Sequence, residues 1–244
     1  MRTLIISDIH GNWPALRAIA ETRFDAVISL GDLVGYGPFP SECVEWVQKN
    51  ALISMQGNHD RAYGENVPAR CRPQFRWLSD AVAPLTWRNL DTEKLKYLAA
   101  LPRWAVLDIE GRKHAFLHAT PKDPLYEYMG PDPKQWAAEL GGLDVEVLVV
   151  GHTHLQFALS VGKVEVVNPG SVGQPKDGDP RAAFLLIENG VWKLERVAYD
   201  VEETVSALYA DKVDMDAATV LSTLLRTGTV PPTATTKAPD SANG

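Results

Sequence analysis

Short apolar runs in this chain end, one after another, on residues that bind cations. Leu4-Ile5-Ile6-Ser7 leads into Asp8-Ile9-His10, and Ala26 to Leu30 leads into Gly31-Asp32. Leu52 to Met55 leads into Gly57-Asn58-His59-Asp60, and Val145 to Val150 leads into Gly151-His152-Thr153-His154. Apolar runs this short, bounded by turn residues, read as buried strands. Helical patterns lie between the first three. Asn12 is an N-cap before Pro14, Leu16, Ile19 and Ala20, and Pro40 to Lys49 sets Cys43, Val44 and Val47 on one side. The alternation predicts an α/β domain. Open α/β sheets place their ligands beyond the carboxyl ends of their strands, which is where every one of these motifs falls.

The donors themselves narrow the chemistry. His10, His59, His118, His152 and His154, five of the six histidines, sit in or beside such motifs. Neutral imidazole is the commonest protein metal ligand, and carboxylates add the charge that holds a divalent cation. Asp8, His10, Asp32, Asn58, His118, His152 and His154 suffice for two metals, which points to metal-assisted hydrolysis rather than a single structural zinc. Strand side chains alternate with period two. Asp8 with His10, and His152 with His154, are therefore expected to point the same way and to share one site. His114 keeps the same period with Phe116 and reads as an ordinary sheet-face histidine.

Composition limits the partners. Lys plus Arg number 24 against 31 Asp plus Glu, a net charge of −7, so the chain is a poor match to duplex nucleic acid, whose binding rests on neutralising phosphates. A small phosphate ester remains a fitting substrate, because bound metal makes a site locally positive. Cys43 and Cys71 are too few for a disulfide framework. Cys71 stands between Arg70 and Arg72, and both cysteines read as reduced bystanders. No stretch approaches the roughly 20 apolar residues of a membrane span, and no signal-like core follows Met1; the expectation is a cytoplasmic protein that does not bind membranes. Nothing in the sequence fixes an oligomeric state.

Residues 1–200 read as the main domain. Within it, 65–102 is expected to be a helical insertion over one side of the site, with helices over Gln74–Ala83 and Thr92–Leu101. Pro133 to Leu140 is a further helix. Hairpins are expected around Glu110-Gly111-Arg112, Gly162-Lys163 and Glu188-Asn189-Gly190. Residues 201–226 read as a C-terminal helical extension and 227–244 as a disordered tail.

The blocks Asp8-Ile9-His10, Gly31-Asp32-Leu33-Val34-Gly35, Gly57-Asn58-His59-Asp60, His118 and Gly151-His152-Thr153-His154 resemble, in order, those of the calcineurin-like metallophosphoesterase family. Asn168-Pro169-Gly170-Ser171-Val172-Gly173-Gln174-Pro175 is similar to a segment of its small bacterial and archaeal phosphodiesterases. The resemblance covers about residues 1–200 and implies a four-layer α/β/β/α sandwich of two mixed sheets. It implies a first metal on Asp8, His10, Asp32 and His154, and a second on Asp32, Asn58, His118 and His152, with Asp32 bridging. Mixed N/O ligation suits Mn, Fe, Zn, Co or Ni, with Mn or Fe favoured. The implied activity is hydrolysis of phosphodiesters, small diesters or cyclic nucleotides, with some monoesterase activity. A metal-bridging hydroxide attacks, His59 assists the leaving group, and Asp60 orients His59.

Departures sharpen the resemblance. Protein serine/threonine phosphatases carry Asp and Arg where this chain has Gly35 and Tyr36, which argues against that activity. Ala119 follows His118 where the small phosphodiesterases often have Gly. Some members of the fold are non-catalytic scaffolds with incomplete metal sites, and a nucleotide-binding regulator is a further alternative. Here all seven ligands and His59 are present. Tyr36 and Phe39, beyond the Asp32 loop, are candidates for a pocket wall, each better suited to simple loop packing. Arg61 and Arg181 are candidates for phosphate contact, each better suited to a surface ion pair.

Overall fold

The computed structural model describes residues 1–236, and two five-stranded sheets organise them. In chain order the elements begin β1 (Arg2–Ile6), α1 (Trp13–Ala20), β2 (Ala26–Ser29), α2 (Pro40–Asn50), β3 (Ala51–Ser54) and α3 (Asn58–Glu65). They continue with α4 (Arg76–Arg88), α5 (Thr92–Ala100), β4 (Ala105–Ile109), β5 (Arg112–Phe116), α6 (Pro133–Glu139), β6 (Val147–Val149), β7 (Gln156–Val161) and β8 (Val164–Pro169). They end with β9 (Ala182–Glu188), β10 (Val191–Val197), α7 (Val201–Ala210), α8 (Met215–Thr227) and a last turn, α9 (Thr233–Thr236). The first sheet runs β10-β9-β1-β2-β3 and the second β4-β5-β6-β8-β7. Both are mixed: β1, β2 and β3 pair parallel, as do β5, β6 and β8, while the hairpin strands pair antiparallel. The expected four-layer α/β/β/α sandwich is the fold.

Strand alternation builds the layers. Ile5 turns inward to meet Ile28, Met55, Phe116, Val149 and Val167, side chains drawn from both sheets. Its neighbours Leu4 and Ile6 turn outward onto Leu16 and Ile19 of α1 and Val44 and Val47 of α2. Across the sandwich, Ala115, Leu148 and Val166 cover Trp136 of α6, which is wholly buried.

Two expectations change. The 65–102 stretch opens on the last residue of α3, turns through a short 3-10 segment at Pro73–Phe75 and carries α4 and α5, which part company. Leu98 of α5 is buried with the outer face of the first sheet, so α5 is a covering-layer helix rather than a lid. Leu78, Val82 and Leu85 of α4 pack with Leu208 of α7 and Leu221 of α8. An amphipathic face requires a partner without naming it, and here it found two.

The second change is the tail. Gly228 takes φ +65° and closes α8, Val230 packs beside the α4–α8 cluster, Ala234 is fully buried, and the Trp77 indole donates to the Ala234 carbonyl at 2.8 Å. Two small apolar side chains and one hydrogen bond dock the stretch, a signal too sparse for composition to show. Residues 237–244 of the expected tail lie outside the described residues. Among the described residues no helix is long and apolar enough to cross a membrane.

Candidate metal centre

The loops that leave β1 and β2 are laced together before any side chain is considered. The amide of Asp8 donates to the Gly31 carbonyl at 3.0 Å and that of His10 to the Asp32 carbonyl at 2.9 Å. Asp8, His10, Asp32, His152 and His154 all take left-handed backbone, with φ between +49° and +65°. Such conformations cost about 1–3 kcal/mol each outside glycine and persist only where the surroundings impose them. Close approach imposes them here: a Cβ on Gly57 would lie 2.2 Å from Asp32 Oδ1, and one on Gly173 would lie 1.8 Å from the Ile9 carbonyl. The Asn168–Gly173 segment is thus a buttress, with the Ser171 hydroxyl donating to the Asp8 carbonyl at 2.7 Å.

Seven donors converge as two groups. In one, Asp8 Oδ1 lies 3.4 Å from His154 Nε2 and 3.9 Å from His10 Nε2, and the two imidazole nitrogens are 3.1 Å apart. In the other, His118 Nε2 lies 3.0 Å from His152 Nδ1, 3.2 Å from Asn58 Oδ1 and 3.4 Å from Asp32 Oδ2. Asp32 Oδ2 is also 3.6 Å from His10 Nε2, so one carboxylate oxygen reaches both groups. Each group draws on both sheets: Asp8, His10, Asp32 and Asn58 follow strands of the first, and His118, His152 and His154 follow strands of the second.

Period two does not explain this convergence. Asp8 with His10, and His152 with His154, lie past the strand ends in left-handed loops, where alternation no longer applies. Asp8 and His10 still meet. His152 and His154 do not share a group: His154 joins Asp8 and His10, and His152 joins His118 and Asp32.

Hydrogen bonds behind the rings fix which nitrogens face inward. His10 Nδ1 is 3.2 Å from the Val34 carbonyl, His118 Nδ1 3.0 Å from that of Leu30, His154 Nδ1 2.6 Å from that of Gln174, and His152 Nε2 3.3 Å from that of Tyr126. Carbonyls accept only from N–H, so the opposite nitrogens present lone pairs to the centre, the outer-shell arrangement of metal-ligating histidines. Burial pushes His10 down to about 3 and pushes His152 and His154 well below the usual range, keeping them unprotonated. Burial also acts to lower His118, but Asp32, Asp8 and Asp60 outweigh it and hold His118 at about 9, so a cation there takes the place of a proton. Burial raises Asp8 to about 6, and its Oδ1 has no hydrogen-bond partner, while Oδ2 accepts from the Ser7 hydroxyl at 2.6 Å and the His152 amide at 3.0 Å. An orphaned carboxylate oxygen among converging lone pairs is a costly arrangement that divalent cations satisfy. The donor set fits them.

The calcineurin-like phosphoesterase superfamily domain matches residues 1–190. This chain belongs to the calcineurin-like phosphoesterase superfamily. It is a metal-binding hydrolase of that family. A metallophosphoesterase from Sphaerobacter thermophilus superposes with a TM-score of 0.77 at 32% identity, covering 93% of this chain and 99% of its own. An uncharacterized protein of Methanocaldococcus jannaschii is 34% identical over 232 residues, 86% of this chain and 92% of its own. Phosphodiesterase YfcE of Escherichia coli is 28% identical over 199 residues, 78% of this chain and 89% of its own.

In this phosphoesterase His59 stands at the edge of the centre. Its ring packs edge-on to His10 with centroids 5.1 Å apart and tilts against Tyr36 at 4.8 Å, and its buried Nδ1 has no partner. Asp60 does not orient it. The Asp60 carboxylate accepts from the amides of Asp32, Leu33 and Gly57 at 2.7, 2.8 and 2.9 Å. Asp60 follows His59 on the first turn of α3, so its side chain turns back under the helix start and clamps the Asp32 loop. Asp60→Asn is expected to weaken metal binding by about 10–100-fold, the loss typical of an outer-shell partner. Metal titration checks this; unchanged affinity with a displaced pH profile would restore Asp60 as the partner of His59.

The phosphoesterase opens to solvent through a cleft of about 200 Å³ that reaches Asp32, Asn58, His59, His152 and His154. Tyr36 walls it, against the favoured reading of loop packing, whereas Phe39 does not line it. Arg61 pairs with Glu65 at 2.8 Å and Arg181 with Asp179 at 2.6 Å, on the surface in both cases. His114 bonds the Arg112 carbonyl at 2.8 Å, away from the centre. Cys43 and Cys71 are free thiols, and burial raises both, so Arg70 and Arg72 do not activate Cys71. Sequence reasoning missed Arg72, Tyr128 and Lys176 as cleft residues. Lys176 follows directly on the Asn168–Pro175 segment, a signal that was there to be used. Tyr128 carried none.

Proposed function

We propose that this phosphoesterase hydrolyses small phosphodiesters, with some monoester turnover, using two divalent cations. Asp8, His10, Asp32 and His154 hold one, and Asp32, Asn58, His118 and His152 hold the other; Mn and Fe suit the mixed N/O donors best. The observation that carries this reading is Asp32 Oδ2, 3.6 Å from His10 Nε2 and 3.4 Å from His118 Nε2, a single carboxylate oxygen shared by two donor groups. Cations bound there supply a low-pKa water as nucleophile and polarise the phosphoryl oxygens.

The remaining work falls to the chain. His59 donates a proton to the departing oxygen, and Tyr36 packs against its ring. Burial lowers the His59 pKa, offset in part by the Asp32 charge, so its protonated form is supported by the arriving anion. Tyr36, held well above its usual pKa by burial, stays a neutral phenol at the cleft wall. The confined cleft favours small esters over a duplex. A degenerate scaffold would lack a donor, and each of the seven is in place.

Hydrolysis of a chromogenic phosphodiester and its matching monoester, with Mn added or with chelator, tests the reading. The expected result is chelator-sensitive turnover with the diester preferred, alongside close to two metals per chain by elemental analysis. Two metals per chain with neither ester cleaved would instead favour a binding protein.

A further inference from the structure

The cleft holds two cationic side chains that the proposed reaction does not use. Lys176 and Arg72 both line it, and among the described residues neither is paired with a carboxylate. Of the other basic side chains some have acidic partners, as Arg17, Arg61, Arg181, Arg196 and Arg226 do, and some do not; Arg72 and Lys176 are set apart by lining the cleft. The two make aromatic contacts instead: Lys176 Nζ lies 5.4 Å from the Phe75 ring centre, and the Arg72 guanidinium lies 4.4 Å over Tyr128.

Their placement is graded: Lys176 stands near enough to Asp8 and Asp32 for its charge to act on both, whereas Arg72 is set outward on Tyr128. Tyr128 stacks on His152 with ring centroids 3.8 Å apart and interplanar angle 30°. Arg72 is on the Tyr128 ring, so it stands two stacked layers out from the donor group of His152. Lys176 leaves the chain beside His154, its amide donating to the His154 carbonyl at 3.3 Å. The cleft therefore carries positive charge from the metal centre outward along one wall.

Resting on the phosphodiesterase reading, we infer that Lys176 and Arg72 form an anion subsite for a second phosphoryl group of the substrate. The substrate class is then a small diester bearing a further phosphate, with Arg72 as a fork for its oxygens and Lys176 as a point charge nearer the metals.

A matched pair of esters tests this on the full-length Mn-loaded enzyme: thymidine 5′-(p-nitrophenyl phosphate) with and without a 3′-phosphate. The expected result is a kcat/KM about 10–100-fold higher for the ester with the extra phosphate, the size of one or two charge-assisted hydrogen bonds. In the double variant Lys176→Gln, Arg72→Gln that preference falls to within about threefold of unity, while Lys176→Arg with Arg72 intact keeps most of it. Equal kcat/KM for the two esters in the wild type would overturn the subsite and leave the diesterase reading standing. So would an equal loss on both esters in the double variant, which would assign the pair to the scissile group. Calorimetric binding of thymidine 3′,5′-bisphosphate against thymidine 5′-monophosphate reads the same subsite without turnover. Tighter bisphosphate binding in the wild type, lost in the double variant, supports the subsite even if neither ester is cleaved; equal binding overturns it.

Discussion

Asp32→Asn is expected to remove at least one metal per chain and to lower kcat/KM for any substrate by more than the roughly 10–100-fold that outer-shell losses cost. Asp32 is 1% exposed, and the charge of His118 above all outweighs burial to hold its pKa well below the usual range, so it is fully ionised. Asparagine can keep one contact, the acceptor of the His59 amide that Oδ1 now provides at 2.8 Å. It cannot replace the charge on Oδ2, which faces both donor groups. No other described carboxylate lies within reach of both. Elemental analysis of the purified variant, with circular dichroism as a check on folding, reads the outcome. Full metal occupancy with near-normal turnover would mean that the two groups do not depend on a shared ligand.

His59→Ala is expected to act differently. Metal content stays at the wild-type level, because none of the seven donors is touched. Turnover of an ester with a poor leaving group falls by about 10²–10⁴-fold, the usual contribution of a positioned general acid. The loss shrinks as the leaving group becomes more acidic, since a p-nitrophenolate departs without a proton. A series of aryl esters therefore separates this role from simple phosphate binding, for which the loss would be constant along the series. A uniform loss would reassign His59 to holding the phosphoryl oxygens.

Much of the centre was legible because few residue types can ligate a cation and each stood at the end of an apolar run. Leu4–Ile6 and Val147–Val150 could hardly be anything but buried strands, and the donors beyond them had to meet at one edge of the sandwich. The division of labour between His152 and His154 was legible only through family resemblance. Left-handed backbone at both positions turns them to different groups, and no periodicity encodes that turn. Asp60 was misread because adjacency to His59 says nothing about direction on the first turn of a helix. The cleft wall was largely hidden. Arg72, Tyr128 and Lys176 come from aperiodic loops, and the stacking of Tyr128 on His152 is purely tertiary. Val230 and Ala234 sit in a polar stretch whose composition resembles a solvated tail, yet Trp77 and the α4–α8 cluster gave them somewhere to dock.

Each donor group takes side chains from both sheets, and this would make bound cations mechanical parts as well as chemical ones. The two sheets otherwise meet through apolar side chains such as Ile5 and Val149 and through hydrogen bonds such as that of the Trp192 indole to Glu165 at 3.2 Å. A cation in either group rivets one sheet to the other at the strand ends. Because it binds only the assembled sandwich, it adds about 2.7 kcal/mol of stability at a free concentration 100 times its dissociation constant. Depletion of metal is then expected to lower the thermal stability of the sandwich as well as its turnover.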